Sequence, residues 1–164
     1  MKSIRSYEAD PARYGQMLDV RYGVTFNYLH QRAYEALGTI LKFAQVGVGA
    51  LAFAGYFASQ PTLAGIAGLV VAILGTLQLV CDPSERAARF DAQRERWCDL
   101  ELAADGLPIE ELERRVTGLQ ARAQRGEIGP LANVAYNANL RANGVADKMV
   151  PLGRRERIAN FLFA

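Results

Sequence analysis

Residues 43–81, FAQVGVGALAFAGYFASQPTLAGIAGLVVAILGTLQLVC, run for 39 positions without an Asp, Glu, Lys, Arg or His. A bilayer is crossed by about 20 apolar helical residues, and charge-free stretches in soluble core helices are shorter, about 10–14 residues. Ser59-Gln60-Pro61-Thr62 interrupts the run near its middle, so its length fits two spans and one tight turn. The expectation is an all-α membrane protein: a two-helix transmembrane hairpin with cytoplasmic helical arms, assembled as an oligomer.

The second span is the more apolar. Residues 63–81 hold ten Leu, Ile or Val side chains, and Pro61 is suited to the first helical turn, where its missing N–H is not needed. The first span is weaker: residues 43–58 are only 16 long and contain three glycines and Gln45. Extending it back to Leu37 gives 22 residues and includes one lysine, Lys42, whose ammonium can snorkel to the headgroups. The division is then an amino-terminal arm over 1–36, a hairpin over 37–81 (37–58 and 63–81), and a carboxy-terminal helical region over 82–164. All 19 Lys and Arg lie outside the charge-free run and none in the loop between the spans, which by the positive-inside rule puts both termini in the cytoplasm.

Inside lipid, helices associate through close backbone approach, so small residues mark contact faces. Gly47, Ala50 and Ala54 form such a face on the first span, and Ala64, Gly68 and Ala72 form one on the second. They serve either packing within the hairpin or contact with a neighbouring subunit. Gln45 and Gln78 lie almost equally far from the turn, and a buried amide needs a partner. Either the two amides pair within the hairpin, or they line a hydrated lumen with Thr76 and a ring of Lys42.

Upstream, Leu18, Tyr22, Phe26, Leu29, Ala33, Leu37 and Ile40 recur at helical spacing, which predicts one helix from near Pro11 into the membrane. Tyr34 and Tyr56 are candidate interfacial anchors. Downstream, Asp82-Pro83-Ser84-Glu85 has the form of an N-cap, a first-turn proline and an early carboxylate. Phe90 and Trp97, then Ile109, Leu112, Val116, Leu119 and Ala123, make heptad-like stripes and are candidate oligomer contacts in the cytoplasm. A turn is expected over 126–130, a helix over 131–143 closed by Gly144, and an amphipathic helix over 154–163. Four asparagines, Asn133, Asn137, Asn139 and Asn143, fall in the penultimate helix, where they weaken it; capping and packing, subunit bridging or ligand binding would account for them. Ile158, Phe161, Leu162 and Phe163 leave an apolar end that docks on a partner or on the membrane interface.

Several chemistries have no residues to carry them. The lone histidine, His30, is expected on a polar face, solvated or hydrogen-bonded. No Cys/His cluster has zinc spacing, and Gly47-Val-Gly49 has neither the strand nor the third glycine of a phosphate loop. Cys81 and Cys98, 17 residues apart along helix, are about 25 Å apart, too far for a disulfide. A net charge of +2 does not argue for nucleic acid. The first residues lack the apolar core of a cleavable signal peptide. No enzyme activity, cofactor or metal site is expected.

A long aromatic-bearing helix, two short-looped spans and a helical cytoplasmic tail follow one another in that order. The chain in this respect resembles the SLATT family, two-helix membrane effectors of bacterial antiviral nucleotide-sensing systems. The resemblance is carried by Tyr22 to Lys42 running into the first span, by the paired spans, by Phe90-Asp-Ala-Gln-Arg-Glu-Arg-Trp97, and by the Ala-Tyr-Asn-Ala-Asn run before Gly144. It implies a homo-oligomer that permeabilises or depolarises the membrane in antiphage defence by abortive infection. It also implies a nucleotide-sensing or signal-producing partner. The other readings are a non-pore membrane anchor that recruits a soluble protein, and a holin-like lysis protein. A charge at Ala72 should abolish a pore, whereas charges at Leu112 and Leu119 should abolish a scaffold.

Overall fold

Asp10-Pro11 starts the first helix, as an N-cap aspartate followed by proline should: the Arg13 N–H donates to Asp10 Oδ1 at 3.1 Å. In the computed structural model, which describes residues 4–7, 10–122 and 127–164, this helix, α1, runs from Pro11 to Phe57 without a break. A turn over 58–60 leads to α2, Pro61–Cys81, and Ser59 in that turn takes a positive φ of 54°. Then follow α3 (Pro83–Ala103), α4 (Ile109–Ala121), α5 (Gly129–Ala142) and α6 (Arg154–Phe163). Short 3-10 turns precede α1 and follow α3 and α5. Among the described residues there is helix and no strand.

Asp82 joins α2 to α3 with a left-handed φ of 35°, a conformation that aspartate tolerates better than most residues. Its Oδ1 accepts the Glu85 N–H at 3.1 Å, so one residue closes α2 and caps α3. Helix α5 starts at Gly129, two residues before the expected position, because Pro130 fits the first turn. Gly144 follows it at φ 75°, the left-handed closure that glycine permits. Ala123 and Gly126, the ends of the expected α4 stripe and of the following turn, lie outside the described residues.

The chain forms two compact units, one of residues up to Arg32 together with Ala88–Ala164, the other of Ala33–Ala87. The first unit is the globular one. Its core combines Ile4, Tyr7, Met17 and Val20 with Trp97, Leu100 and Ala104, and with Leu112 and Val116 of α4. Arg13 ties α1 to the α3–α4 connection by donating to the Ala104 and Leu107 carbonyls, both at 2.7 Å. The α4 stripe is therefore internal. Phe90, Trp97, Leu112 and Val116 are buried, and Ile109 and Leu119 are packed against the core, which corrects the expectation that these six residues contact other subunits. The heptad-like spacing is that of a helix with one buried face, and the face is covered by this same chain.

The second unit is the helical hairpin. Tyr34, expected at a membrane interface, is instead buried here: its hydroxyl accepts from Arg86 Nη1 at 3.3 Å, and the guanidinium lies 5.7 Å from its ring centre. Tyr56 is exposed.

Candidate functional site

The feature without a structural explanation inside the protomer is the apolar surface of the hairpin. In the most apolar 18-residue window of each long helix only 6% of residues are buried. Were these core helices of a soluble protein, most of each window would be covered. Phe43, Val46, Phe53, Leu69, Leu79 and Val80 all face outward, Leu79 at 83% exposure. Contiguous apolar surface on a soluble monomer seldom exceeds a few hundred Å². Both helices are long and apolar enough to cross a membrane.

The two helices meet along a seam of small residues, but not along the faces expected from the sequence. A Cβ on Gly55 would lie 3.1 Å from the Ala64 backbone nitrogen, and one on Gly75 would lie 3.0 Å from Gln45 Nε2. Ala67 is the one buried residue of α2. Ala64 alone of the six expected packing residues is at this seam. Gly47 and Gly68 have open space where a Cβ would point, and Ala50, Ala54 and Ala72 are exposed. The correction is one of helix rotation: small residues occur on two faces of each helix, and the hairpin uses the face carrying Gly55 and Gly75.

The four candidate polar residues of the spans do not converge. Gln45 lies against Gly75 on the seam, half-buried, and makes no hydrogen bond with Gln78. Thr76 faces outward and satisfies its own hydroxyl by donating to the Ala72 carbonyl at 2.9 Å. Lys42 is exposed. The protomer thus contains no polar lumen built from these side chains.

In the globular unit the polar residues are used structurally. Asn137 makes a two-way bond with the Val150 backbone, donating at 2.7 Å and accepting at 2.9 Å. Asn139 donates to the Leu18 carbonyl, Asn133 to Glu156, and Asn143 to Asn139. Arg21, buried, donates to Glu101 at 2.9 Å and to Asn143 at 2.5 Å. The four asparagines therefore staple α5 to α1, to α6 and to the segment between α5 and α6, which makes structural use of an otherwise poor helix former. In the sequence Arg21 shows only as a charge that stands between Leu18 and Val24 on a face that is otherwise apolar.

His30 is also internal, contrary to its expected polar face. It is fully buried between Phe26 and Phe90, with ring centres at 4.1 Å and 4.9 Å. The Ile128 N–H donates to Nε2 at 3.1 Å, which leaves Nδ1 to donate to the Phe26 carbonyl at 2.8 Å. Burial lowers its pKa below 6.5, with the Phe26 bond and Glu127 opposing. Nearby, Tyr22, Phe26, Asn27, Gln93, Trp97 and Glu127 line a cavity of about 200 Å³. Both cysteines are free thiols, and burial pushes the Cys98 pKa up. Among the described residues no group of His, Cys, Asp and Glu is placed to hold a metal. No protein-family model, curated protein or solved structure significantly matches the chain.

Proposed function

We propose that the hairpin is inserted in the bacterial inner membrane with both termini in the cytoplasm, and that protomers associate through it to permeabilise the bilayer. The observation that carries the reading is the charge-free, outward-facing apolar surface around both hairpin helices. Hydrocarbon is the solvent that such a surface fits, and helices satisfy their backbone internally as lipid requires. Self-association is supported by the two small-residue faces left open after the hairpin has closed on Gly55 and Gly75. Gly47, Ala50 and Ala54 on α1, and Gly68 and Ala72 on α2, permit close helix approach. Because the protomer itself encloses no polar passage, conduction belongs to the oligomer.

The globular unit is the gate and signal reader in this proposal, as the SLATT resemblance implies, and antiphage defence by abortive infection is the corresponding biology. The scaffold alternative draws less support, since Leu112 and Val116, its intended docking stripe, are buried in the core.

The test is membrane potential in bacteria that express the wild type beside Ala72→Glu and Gly68→Leu at matched membrane abundance. Depolarisation by wild type, lost in both variants, is the expected result. A potential that wild type leaves unchanged even when co-expressed with its neighbouring genes would overturn permeabilisation and leave an anchor.

A further inference from the structure

We propose that the carboxy-terminal end of α6 is a second membrane contact: Ile158, Phe161 and Leu162 enter the headgroup–acyl boundary while Arg154, Arg155 and Arg157 engage anionic headgroups. The inference rests on the membrane reading of the hairpin and adds a lipid-binding surface on the globular unit.

Three observations carry it. First, Ile158, Phe161 and Leu162 are 61%, 87% and 56% exposed, whereas Ala159 beside them on α6 is buried. Their spacing of three and four puts them on one outward face. Second, charge is separated along the helix axis and not around it. Arg154, Ile158 and Phe161 share that face, as do Arg155 and Leu162, so basic side chains stand in the first turn and apolar ones in the later turns. Seven residues of helix put the two groups about 10 Å apart. That spacing and the reach of an arginine side chain match the depth from the acyl boundary to the phosphates.

Third, the apolar end is level with an aromatic–cation pair of α1 in the same unit. Arg32 Nη1 donates to the Phe163 carbonyl at 3.3 Å. Tyr28, one turn before Arg32, is itself exposed, with the Arg32 guanidinium 5.7 Å from its ring centre. An aromatic and a cation at that level are what a membrane interface recruits. A second copy fits less well. Three apolar side chains fall short of the roughly 800 Å² per partner of a stable interface, and a self-complementary pairing would set three arginines against three.

The experiment uses the full chain in vesicles whose phosphatidylcholine has brominated acyl chains, with or without phosphatidylglycerol. Tryptophan emission is read for wild type, whose single Trp97 is buried, for Phe161→Trp, and for Leu69→Trp on the outward face of the hairpin. Quenching of both added tryptophans is expected. Quenching at position 161 should fall about twofold when phosphatidylglycerol is omitted or when Arg154, Arg155 and Arg157 are changed to Gln. Leu69→Trp quenched, with Phe161→Trp no more quenched than wild type and open to aqueous acrylamide, overturns the second contact while the hairpin reading stands. Phe161→Trp shielded from both quenchers identifies a protein occupant and overturns it too. No quenching at position 69 overturns the hairpin reading and this proposal with it.

Discussion

Gly23 stands in the interior of a 47-residue helix, where glycine ordinarily weakens the helix by about 1 kcal/mol relative to alanine. Replacing it should nevertheless do harm. A Cβ there would lie 2.6 Å from Trp97 Cε2 and 2.8 Å from Cε3, and an indole ring buried in a core has no flexible end to move aside. Gly23→Ala is expected to lower unfolding stability by about 1–3 kcal/mol, the usual range for overpacking, in a denaturant titration followed by circular dichroism. His30 makes a prediction of the opposite kind, about conditions and not volume. Its folded-state pKa is depressed by burial below 6.5, so the unfolded chain binds the proton more readily. The stability that neutral His30 contributes is full above that value and is lost as pH falls through and below it. Protonating Nε2 also removes the acceptor of the Ile128 N–H. Acidification from about pH 7.5 to about pH 5.5 should therefore lower the unfolding midpoint of wild type, and His30→Gln should flatten that slope. An equal slope in the variant would assign the effect to other groups. Asp19, whose carboxyl is pushed up by burial, acts in the opposite sense.

At the scale of elements, the seam of the hairpin separates glycines that look alike in the sequence. Gly55 faces the Ala64 backbone, which cannot yield, whereas Gly75 faces the far end of the Gln45 side chain, which can. Gly47 and Gly68 face open space. Gly55→Ala should loosen the hairpin and lower its thermal midpoint in detergent. Gly75→Ala should be nearly neutral, and Gly47→Ala should raise the midpoint through helix propensity, a stabilisation of about 1 kcal/mol. Equal effects at 47 and 55 would contradict the observed rotation of the two helices. The same contrast explains what was readable in advance. Breaks and caps are local, so Pro11, Asp82-Pro83, Gly144 and the bounds of α6 were legible from neighbouring residues. Which face of a helix is covered, and by what, is not local. The α4 stripe announces a buried face around Leu112 and Val116 but carries no sign that the cover is α1 and α3 of the same chain. Likewise, Arg21 and Asn143 find each other across 122 residues, and His30 finds Ile128 across 98, distances over which periodicity says nothing.

For the whole molecule, the long charge-free run made the apolar hairpin legible, because hydrophobic length is additive along the sequence. Which faces of the hairpin helices the protomer itself covers was not, because that depends on a surface and not on a segment. The orientation across the membrane can be decided directly. With every Lys and Arg outside residues 43–81 and none in the 58–60 turn, crossing the membrane requires moving only that uncharged turn through the bilayer. The opposite orientation would translocate two charged flanks. In a background with Cys81 and Cys98 changed to alanine, a cysteine at Gln60 should react with a membrane-impermeant maleimide in cells with a permeabilised outer membrane. A cysteine at Glu113, exposed on α4, should react only after the inner membrane is broken. Labelling at 113 but not at 60 in such cells would invert the topology and remove the cytoplasmic signal reader. Labelling at neither until lysis would show that the hairpin enters from one side and stops short of the other. The outward faces carrying Gly68 and Ala72 would then pack protomers within one leaflet, where close association opens no path across the bilayer.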